Sequence, residues 1–490
     1  MSGGTIDLGT LPVPPRRTAG SVLRALPAAP VASLVTGVLC VALVTVPDLH
    51  VDGWRWILVG LVATACTLLA LPLHRAAVAE LLARRLLPAG LASVTVVACA
   101  AGAVVAVTQD RTTTPALTAV AVSTLTVTAL WLRGGVSFLD APAWYGPAAL
   151  GAALTAGLAW GLVQDVGAGR DAALAVLVGA APAAQLVAGP LALVAARRRG
   201  TGAGYTLPDQ QAVLATPLVD TIALDLAGTV TTGDLTVVSV DPVEPDHDRN
   251  LRWFAGALEH ASEHRIGRAI AGLSARGRLS NVEQQPGTGI SGSVDRHPVR
   301  VGAPDWLGIA AEPGLWTTVG VEVDARVLGT ITVAEHVRPD AAEGVAALRA
   351  LGLDVVLLSP ERPDRTAEVA RQSGISTVHA GLDDAGRDAV LESLAADGRR
   401  LAVAGLPSQR ALVDVEDLGV RDHAVTRVAA ALTASRQAVA TGRRARRLAL
   451  LLGGIGIGLG ASGAVPPWAA AIVATITTVV AGAVGARRPA

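Results

Sequence analysis

The chain has 490 residues, of which 51 % are hydrophobic and only 16 % charged, with a mean hydropathy of +0.49. Soluble globular chains carry about 25 % charged residues, so a deficit sustained over this length excludes a single soluble enzyme and calls for several segments that need not face water. Lys+Arg 40 balances Asp+Glu 40, every basic side chain is an arginine, and no basic-aromatic cluster occurs, so nothing supports a nucleic-acid partner.

Aromatics make up 3 % of the residues, and Ala, Val, Leu and Gly carry the apolar character, a composition suited to close helix packing in lipid. Apolar windows lie near 31–47, 54–73, 89–108, 115–132, 145–164 and 172–195, then, after a long polar stretch, near 446–463 and 466–485. Each is close to the roughly 20 residues that cross the hydrocarbon, which predicts eight helices in a six-plus-two order. Span one runs at once into span two without a small-residue cleavage site, so a signal peptide is not expected. Cys40, Cys66 and Cys99 fall in separate spans and support neither a disulfide framework nor a CxxC metal site; they read as small hydrophobes.

Arginine sets the predicted orientation. Arg16, Arg17 and Arg24 precede span one, Arg75, Arg84 and Arg85 separate spans two and three, and Arg197, Arg198 and Arg199 follow span six. Arg443, Arg444, Arg446 and Arg447 precede span seven, and Arg487 and Arg488 close the chain. The opposite loops carry Asp48, Asp52, Asp110, Asp165 and Asp171, so the positive-inside rule predicts a cell-membrane protein with both termini and the polar segment in the cytoplasm.

Within the polar segment, apolar runs at 221–224, 355–358 and 401–404 read as buried parallel strands, with helical patterns at 341–351 and 365–373 between them. Chemistry in such sheets sits at the carboxyl ends of strands. Asp225 directly follows the first strand, in Leu224-Asp225-Leu226-Ala227-Gly228-Thr229-Val230-Thr231-Thr232-Gly233.

That string resembles the phosphorylation loop DKTGTLTxG of P-type ATPases, which is built on a haloacid-dehalogenase-like fold. Ser262-Glu263-His264-Arg265 resembles the SEHP motif of the heavy-metal, CPx-type branch, and the run from Pro286 through Gly287 and Gly289 to Gly292 resembles its PGxGxxG loop. Ala181-Pro182-Ala183-Ala184-Gln185 stands in span six where that branch has CPCAL, and the six-plus-two helix plan is also its own. The resemblance implies a multi-pass α-helical membrane protein with an α/β haloacid-dehalogenase-like P domain and an inserted small α+β nucleotide-binding domain. It implies an N-terminal segment at 1–30, membrane helices at 31–196, the start of the P domain at 197–238, the nucleotide-binding domain at 239–333, the rest of the P domain at 334–445, and the last two helices at 446–490.

The resemblance places phosphoryl acceptance at Asp225, with Thr229 as a second catalytic position, and nucleotide binding at Glu259, His264, Gly287 and Gly289. It also exposes departures. Leu226 replaces the loop lysine and Ala227 the threonine after it. Gly405-Leu406-Pro407-Ser408-Gln409-Arg410 replaces GDGxxND, so both hinge aspartates are gone, Ser359-Pro360-Glu361 replaces TGD, and Glu335 stands for an aspartate before Arg338-Pro339. Two unit negative charges about 4 Å apart repel by roughly 4 kcal/mol at an effective dielectric of 20, so attack on a phosphate without its cation clamp is expected to be impaired. No TGE-bearing actuator domain fits between spans four and five, joined by residues 133–144. The metal-ligand positions are degenerate: Ala181 and Ala183 replace the CPC thiols, Ala474-Thr475-Ile476-Thr477-Thr478 replaces Met-x-x-Ser-Ser, and Met1 is the only methionine.

The expected protein is therefore a catalytically inactive P-type ATPase homologue that binds ATP or another adenine nucleotide weakly, lacks Mg²⁺ ligands, and serves a regulatory or scaffolding role. Its expected partners are the lipid bilayer and another membrane protein or pump subunit. A working cation transporter with substituted ligands and a partner-supplied actuator is one alternative, and a dehalogenase-type phosphatase is another, disfavoured by Ala227 in the place of the second acid. Two local readings have bland counterparts. Residues 287–292 read equally as a strand turn and His264 as a helix-face residue, while Gln185 reads as an interhelical hydrogen bond and His336 and His379 as solvated surface.

Overall fold

The computed structural model describes residues 39, 51–64, 66–67, 70–82, 88–108, 138–139, 141–310, 316–405, 408–420 and 422–487. The predicted spans at 31–47 and 115–132, Cys40, Leu406 and Pro407, and the arginines at 16, 17, 24, 84, 85 and 488 fall outside them, Leu39 excepted. The chain divides into two compact units, one of residues Met1–Ala195 with Ala438–Ala490 and one of Ala196–Gln437.

The first unit is helical. Its helices include Trp54–Thr64, Leu71–Leu82, Pro88–Thr108, Tyr145–Val163, Val166–Gly179 and Pro467–Ala486. Among the described residues three helical stretches, Tyr145–Val163, Val166–Ala203 and Pro467–Ala486, are long and apolar enough to cross a membrane. Span seven does not begin a new helix at 446: it is the later part of a 37-residue helix, Val425–Ala461, which contains no Pro and runs on through Gly442.

Glycine sets the helix spacing. A Cβ on Gly456 would sit 2.1 Å from the Gly179 carbonyl oxygen, and one on Gly169 would sit 2.4 Å from that of Gly157, so backbones meet at both crossings. Without a hydrophobic drive between helices in lipid, such contact supplies the van der Waals attraction that holds them.

The predicted sixth span is not one helix. It breaks into Val166–Gly179, Pro182–Val187 and a helix from Pro190 to Ala203. Pro182 and Pro190 each lack an N–H, and Ala181 is held at φ 46, left-handed for a residue with a Cβ.

The second unit holds two sheets. The first is parallel, in order β11-β10-β1-β8-β9. It comprises β1 (Thr221–Asp225), β8 (Asp354–Leu358), β9 (Thr377–His379), β10 (Leu401–Ala404) and β11 (Val413–Asp414). Helices Ala341–Ala350, Pro363–Ser373 and Asp384–Ala396 alternate with these strands. Ala223, Val356, Leu358, Leu391, Leu401 and Val403 share one core, as continuous apolar strands of a covered parallel sheet require.

The second sheet is antiparallel and is inserted in sequence between β1 and β8. Its order is β2-β7-β6-β5-β4-β3: β2 (Thr231–Pro242), β3 (Leu279–Gln285), β4 (Gly289–Val294), β5 (His297–Gly302), β6 (Thr317–Val323) and β7 (Arg326–Val337). Helices Asp248–Glu259 and Arg265–Ala271 bury Leu251, Ala255, Leu258 and Ile270 against Val299, Val301, Val321 and Ile331. The α/β unit and the apolar helices agree in class with the fold expected from sequence.

Candidate functional site

The carboxyl end of β1 presents Asp225 between its parallel neighbours β8 and β10. The Asp225 Oδ1 accepts from the Leu226 amide at 2.8 Å. Burial raises the Asp225 pKa above the usual carboxylate value, opposed by the amides of Leu226 and Ala227 and by the Arg387 guanidinium. Arg387, in the first turn of helix Asp384–Ala396, is a site residue that the motif reading missed. Its only mark in the sequence is a cation near the start of a helix, which many arginines here share.

After Asp225 the chain turns widely, with Gly228 at φ 76. The Arg338 guanidinium grips this turn, donating to the Gly228 carbonyl at 3.0 Å and the Thr231 carbonyl at 3.1 Å. Thr229 is fully buried and its hydroxyl has no hydrogen-bond partner among the described residues. Gly405, following β10 at φ 77, closes over both predicted catalytic residues: a Cβ there would lie 2.6 Å from the Thr229 Oγ1 and 3.0 Å from the Asp225 Cβ. Asp225 and Thr229 are thus brought together. Leu226 points inward, 2 % exposed, and puts no charge near them.

Around this edge, the Ser359 hydroxyl accepts from the Glu361 amide at 3.0 Å and from the Thr366 hydroxyl at 3.1 Å, while Glu361 pairs with Arg365. Glu335, 5 % exposed, accepts from the Thr231 hydroxyl at 2.5 Å and is ion-paired with Arg265. Among the described residues no group of three or more His, Cys, Asp and Glu side chains could hold a metal ion. Mg²⁺ is commonly held by one or two carboxylates together with waters and substrate phosphates, and this edge offers Asp225.

The second sheet carries a cavity of about 730 Å³ lined by all four predicted nucleotide residues, Glu259, His264, Gly287 and Gly289. That volume lies in the range of small-molecule pockets. Glu259 ends helix Asp248–Glu259, and burial pushes its carboxyl up to about 7 against a hydrogen bond with Ser262. Gly267 makes room for it, since a Cβ there would come 2.3 Å from the Glu259 Oε2. His264 caps helix Arg265–Ala271, its Nδ1 accepting from the Ile266 amide at 3.3 Å.

The two glycines serve different ends. Gly287, at φ 76, forms the turn between β3 and β4 and has open space where a Cβ would project. At Gly289 a Cβ would strike the Val301 carbonyl oxygen at 2.3 Å, so that glycine answers strand pairing with Gly302. The strand turn and the cavity wall are therefore the same residues. His336 is at the surface, its Nε2 2.7 Å from the Thr236 hydroxyl, and His379 is half-buried on β9.

In the helical unit, Ala181 and Ala183 are buried beside the break before Pro182. The Gln185 amide is buried beside Tyr145, which lies on another helix, and meets no strict hydrogen-bond geometry among the described residues. The neighbouring Tyr145 hydroxyl donates instead to the Ala180 carbonyl, a group exposed by the helix break, at 2.8 Å. Cys66 and Cys99 lie in one apolar cluster and form no disulfide. Both nitrogens of His74 are engaged, with the Ser93 hydroxyl and the Cys66 carbonyl, each at 2.7 Å.

Residues 219–405 match the family model of the haloacid dehalogenase-like hydrolases. A copper-exporting P-type ATPase of Mycobacterium tuberculosis is 37 % identical over 248 residues, covering 48 % of this chain and 33 % of the relative. A cation-transporting P-type ATPase B of Mycobacterium bovis is 34 % identical over 272 residues, covering 51 % of this chain and 36 % of the relative. The homologues of this chain are cation-transporting P-type ATPases. The match spans about a third of the length of these curated P-type relatives. In fold, the chain is similar to a zinc-transporting PIB-type ATPase in its E2.Pi state, with a TM-score of 0.68 and 16 % identity over 94 % of this chain and 98 % of that one. P-type relatives are integral membrane proteins, in keeping with the three long apolar helical stretches here.

Proposed function

We propose that this chain is a nucleotide-binding membrane protein on the P-type ATPase plan that has lost phosphoryl transfer and serves a regulatory or scaffolding role beside another membrane protein. The observation that carries the reading is the contrast between its two sites. The cavity on the second sheet gathers Glu259, His264, Gly287 and Gly289. At the carboxyl edge of β1, Leu226 is packed inward where a lysine would meet a phosphate. Phosphoryl transfer rests almost wholly on positioning and on cations that neutralise the moving charge. Arg387, itself paired with Asp384, acts on Asp225 through its charge, and among the described residues no cluster of three or more acidic ligands accompanies it. The arginine distribution supports a cytoplasmic placement of both termini and of the polar unit.

A residual pump activity is the second reading, favoured by one observation: Asp225 and the Thr229 hydroxyl, unpartnered among the described residues, remain side by side under Gly405. One experiment separates the two. The purified chain is incubated with γ-labelled ATP and Mg²⁺, then run on an acid gel. The proposal expects no acid-stable label; label that vanishes in Asp225→Asn establishes the pump reading instead.

A further inference from the structure

Helix Val425–Ala461 is locked in rotation by its glycines. Ala445, Ala449, Gly453, Gly456 and Gly460 are buried, and the last three pack on the Tyr145 hydroxyl, Gly179 and Ala175 respectively. The opposite face is thereby fixed outward. It carries Arg443, Arg444 and Arg447, all exposed, followed by Leu451, Ile455 and Leu459, which are 67 %, 57 % and 42 % exposed. Arg443, Arg447, Leu451, Ile455 and Leu459 follow one another at intervals of four, which is a single ridge of an α-helix.

Arg443, Arg444 and Arg447 form no ion pair among the described residues, whereas arginines such as Arg252, Arg300 and Arg371 are paired with carboxylates. Like charges at i,i+4, here Arg443 and Arg447, repel and destabilise a helix unless an anion lies between them. From Arg447 to Leu459 the ridge rises about 18 Å at 1.5 Å per residue. One leaflet of hydrocarbon is about 15 Å deep.

We propose that this ridge binds an anionic phospholipid, its phosphate held by Arg443, Arg444 and Arg447 and its acyl chain lying along Leu451, Ile455 and Leu459. The charge sign selects the headgroup. The apolar continuation selects a lipid over a soluble phosphate, because the same face that gathers the cations then exposes branched aliphatic side chains for a leaflet's depth. The inference rests on the membrane placement of this unit, and stable insertion into bilayers tests that placement separately.

The full chain is reconstituted into phosphatidylcholine bilayers, and spin-labelled phosphatidylglycerol and phosphatidylcholine are compared by the fraction each shows of motionally restricted label. The expected preference for phosphatidylglycerol is roughly fivefold, the factor for about one guanidinium's worth of anionic attraction, and it falls toward unity in 1 M salt. The combined Arg443→Gln, Arg444→Gln and Arg447→Gln variant loses the preference, and the corresponding triple lysine variant keeps it. Equal association of the two lipids with the unaltered chain, a preference insensitive to salt, or one retained in the glutamine variant overturns the proposal. Displacement of the labelled lipid by millimolar glycerol phosphate also overturns it, by showing that the headgroup alone is recognised. The salt series uses the unaltered chain, so failure of a variant to insert leaves the decision intact.

Discussion

Arg265 and Glu335 form an ion pair that ties the first turn of helix Arg265–Ala271 to strand β7, with the Arg265 guanidinium also donating to the Gly233 carbonyl at 2.6 Å. The pair joins the cavity on the second sheet to the Asp225 edge, since Arg265 follows the cavity residue His264 and Glu335 binds the hydroxyl of Thr231 on the Asp225 loop.

Replacing Arg265 by alanine strands a carboxylate that is 5 % exposed. The expected loss is about 2 kcal/mol, the scale of a hydrogen bond to a charged group. Denaturant unfolding at neutral pH measures it. Arg265→Lys, which keeps a cation beside Glu335, should recover part of the loss, and an equal deficit in both variants would assign it to something other than the stranded charge.

Glu259 gives a pH dependence with a definite sign. Its carboxyl ordinarily titrates near 4.5 and here near 7, so between those values the folded chain holds a proton that the unfolded chain has released. The associated stability is complete below about pH 4.5 and is lost as pH rises through about 7. Glu259→Gln removes the ionising group. The variant should match the unaltered chain near pH 4.5 and exceed it by up to about 3 kcal/mol at pH 8, read from unfolding curves across that range.

Nucleotide affinity should depend on the base and hardly on the γ-phosphate. ATP, ADP and AMP are expected to bind within a few-fold of one another, at roughly 0.1–1 mM or about 4 to 5.5 kcal/mol, with or without Mg²⁺. Calorimetric titration of the full chain checks this. His264→Ala should weaken binding several-fold by removing a ring from the cavity wall, and unaltered binding in that variant would reduce the motif to a helix cap.

Gly405→Ala should destabilise the Asp225 edge. The residue sits at φ 77 with its missing Cβ 2.6 Å from the Thr229 Oγ1, so alanine meets both backbone strain and a close contact. A cost of about 1–3 kcal/mol is expected from unfolding curves, whereas Gly287→Ala, with the same sign of φ but open space around it, should show only the strain.

Apolar strands were legible because a buried parallel strand needs nothing but a run such as Leu401–Ala404, whatever its neighbours. The cavity residues were legible because glycines and a histidine in fixed order mark a backbone path. The break in span six was hidden because hydropathy sums over Ala180, Ala181 and Pro182 without seeing that the proline removes a donor. Arg387 was hidden because its meaning depends on helix Asp384–Ala396 bringing its charge within electrostatic reach of Asp225. Neither the Arg265 pairing nor the burial of Gln185 can be read from one position, since each depends on residues far away in the sequence.

The inward packing of Leu226 has a consequence for the history of such a chain. Its side chain is among the largest that are fully enclosed, so the shell around it is fitted to an uncharged branched group. A lysine placed at 226 would bury an ammonium in that shell and weaken the fold. On the function proposed above, a path back to phosphoryl transfer therefore begins downhill in stability, and selection on folding alone keeps the position closed. Asp225 is only partly enclosed, so substitution there meets less of the packing that holds the leucine.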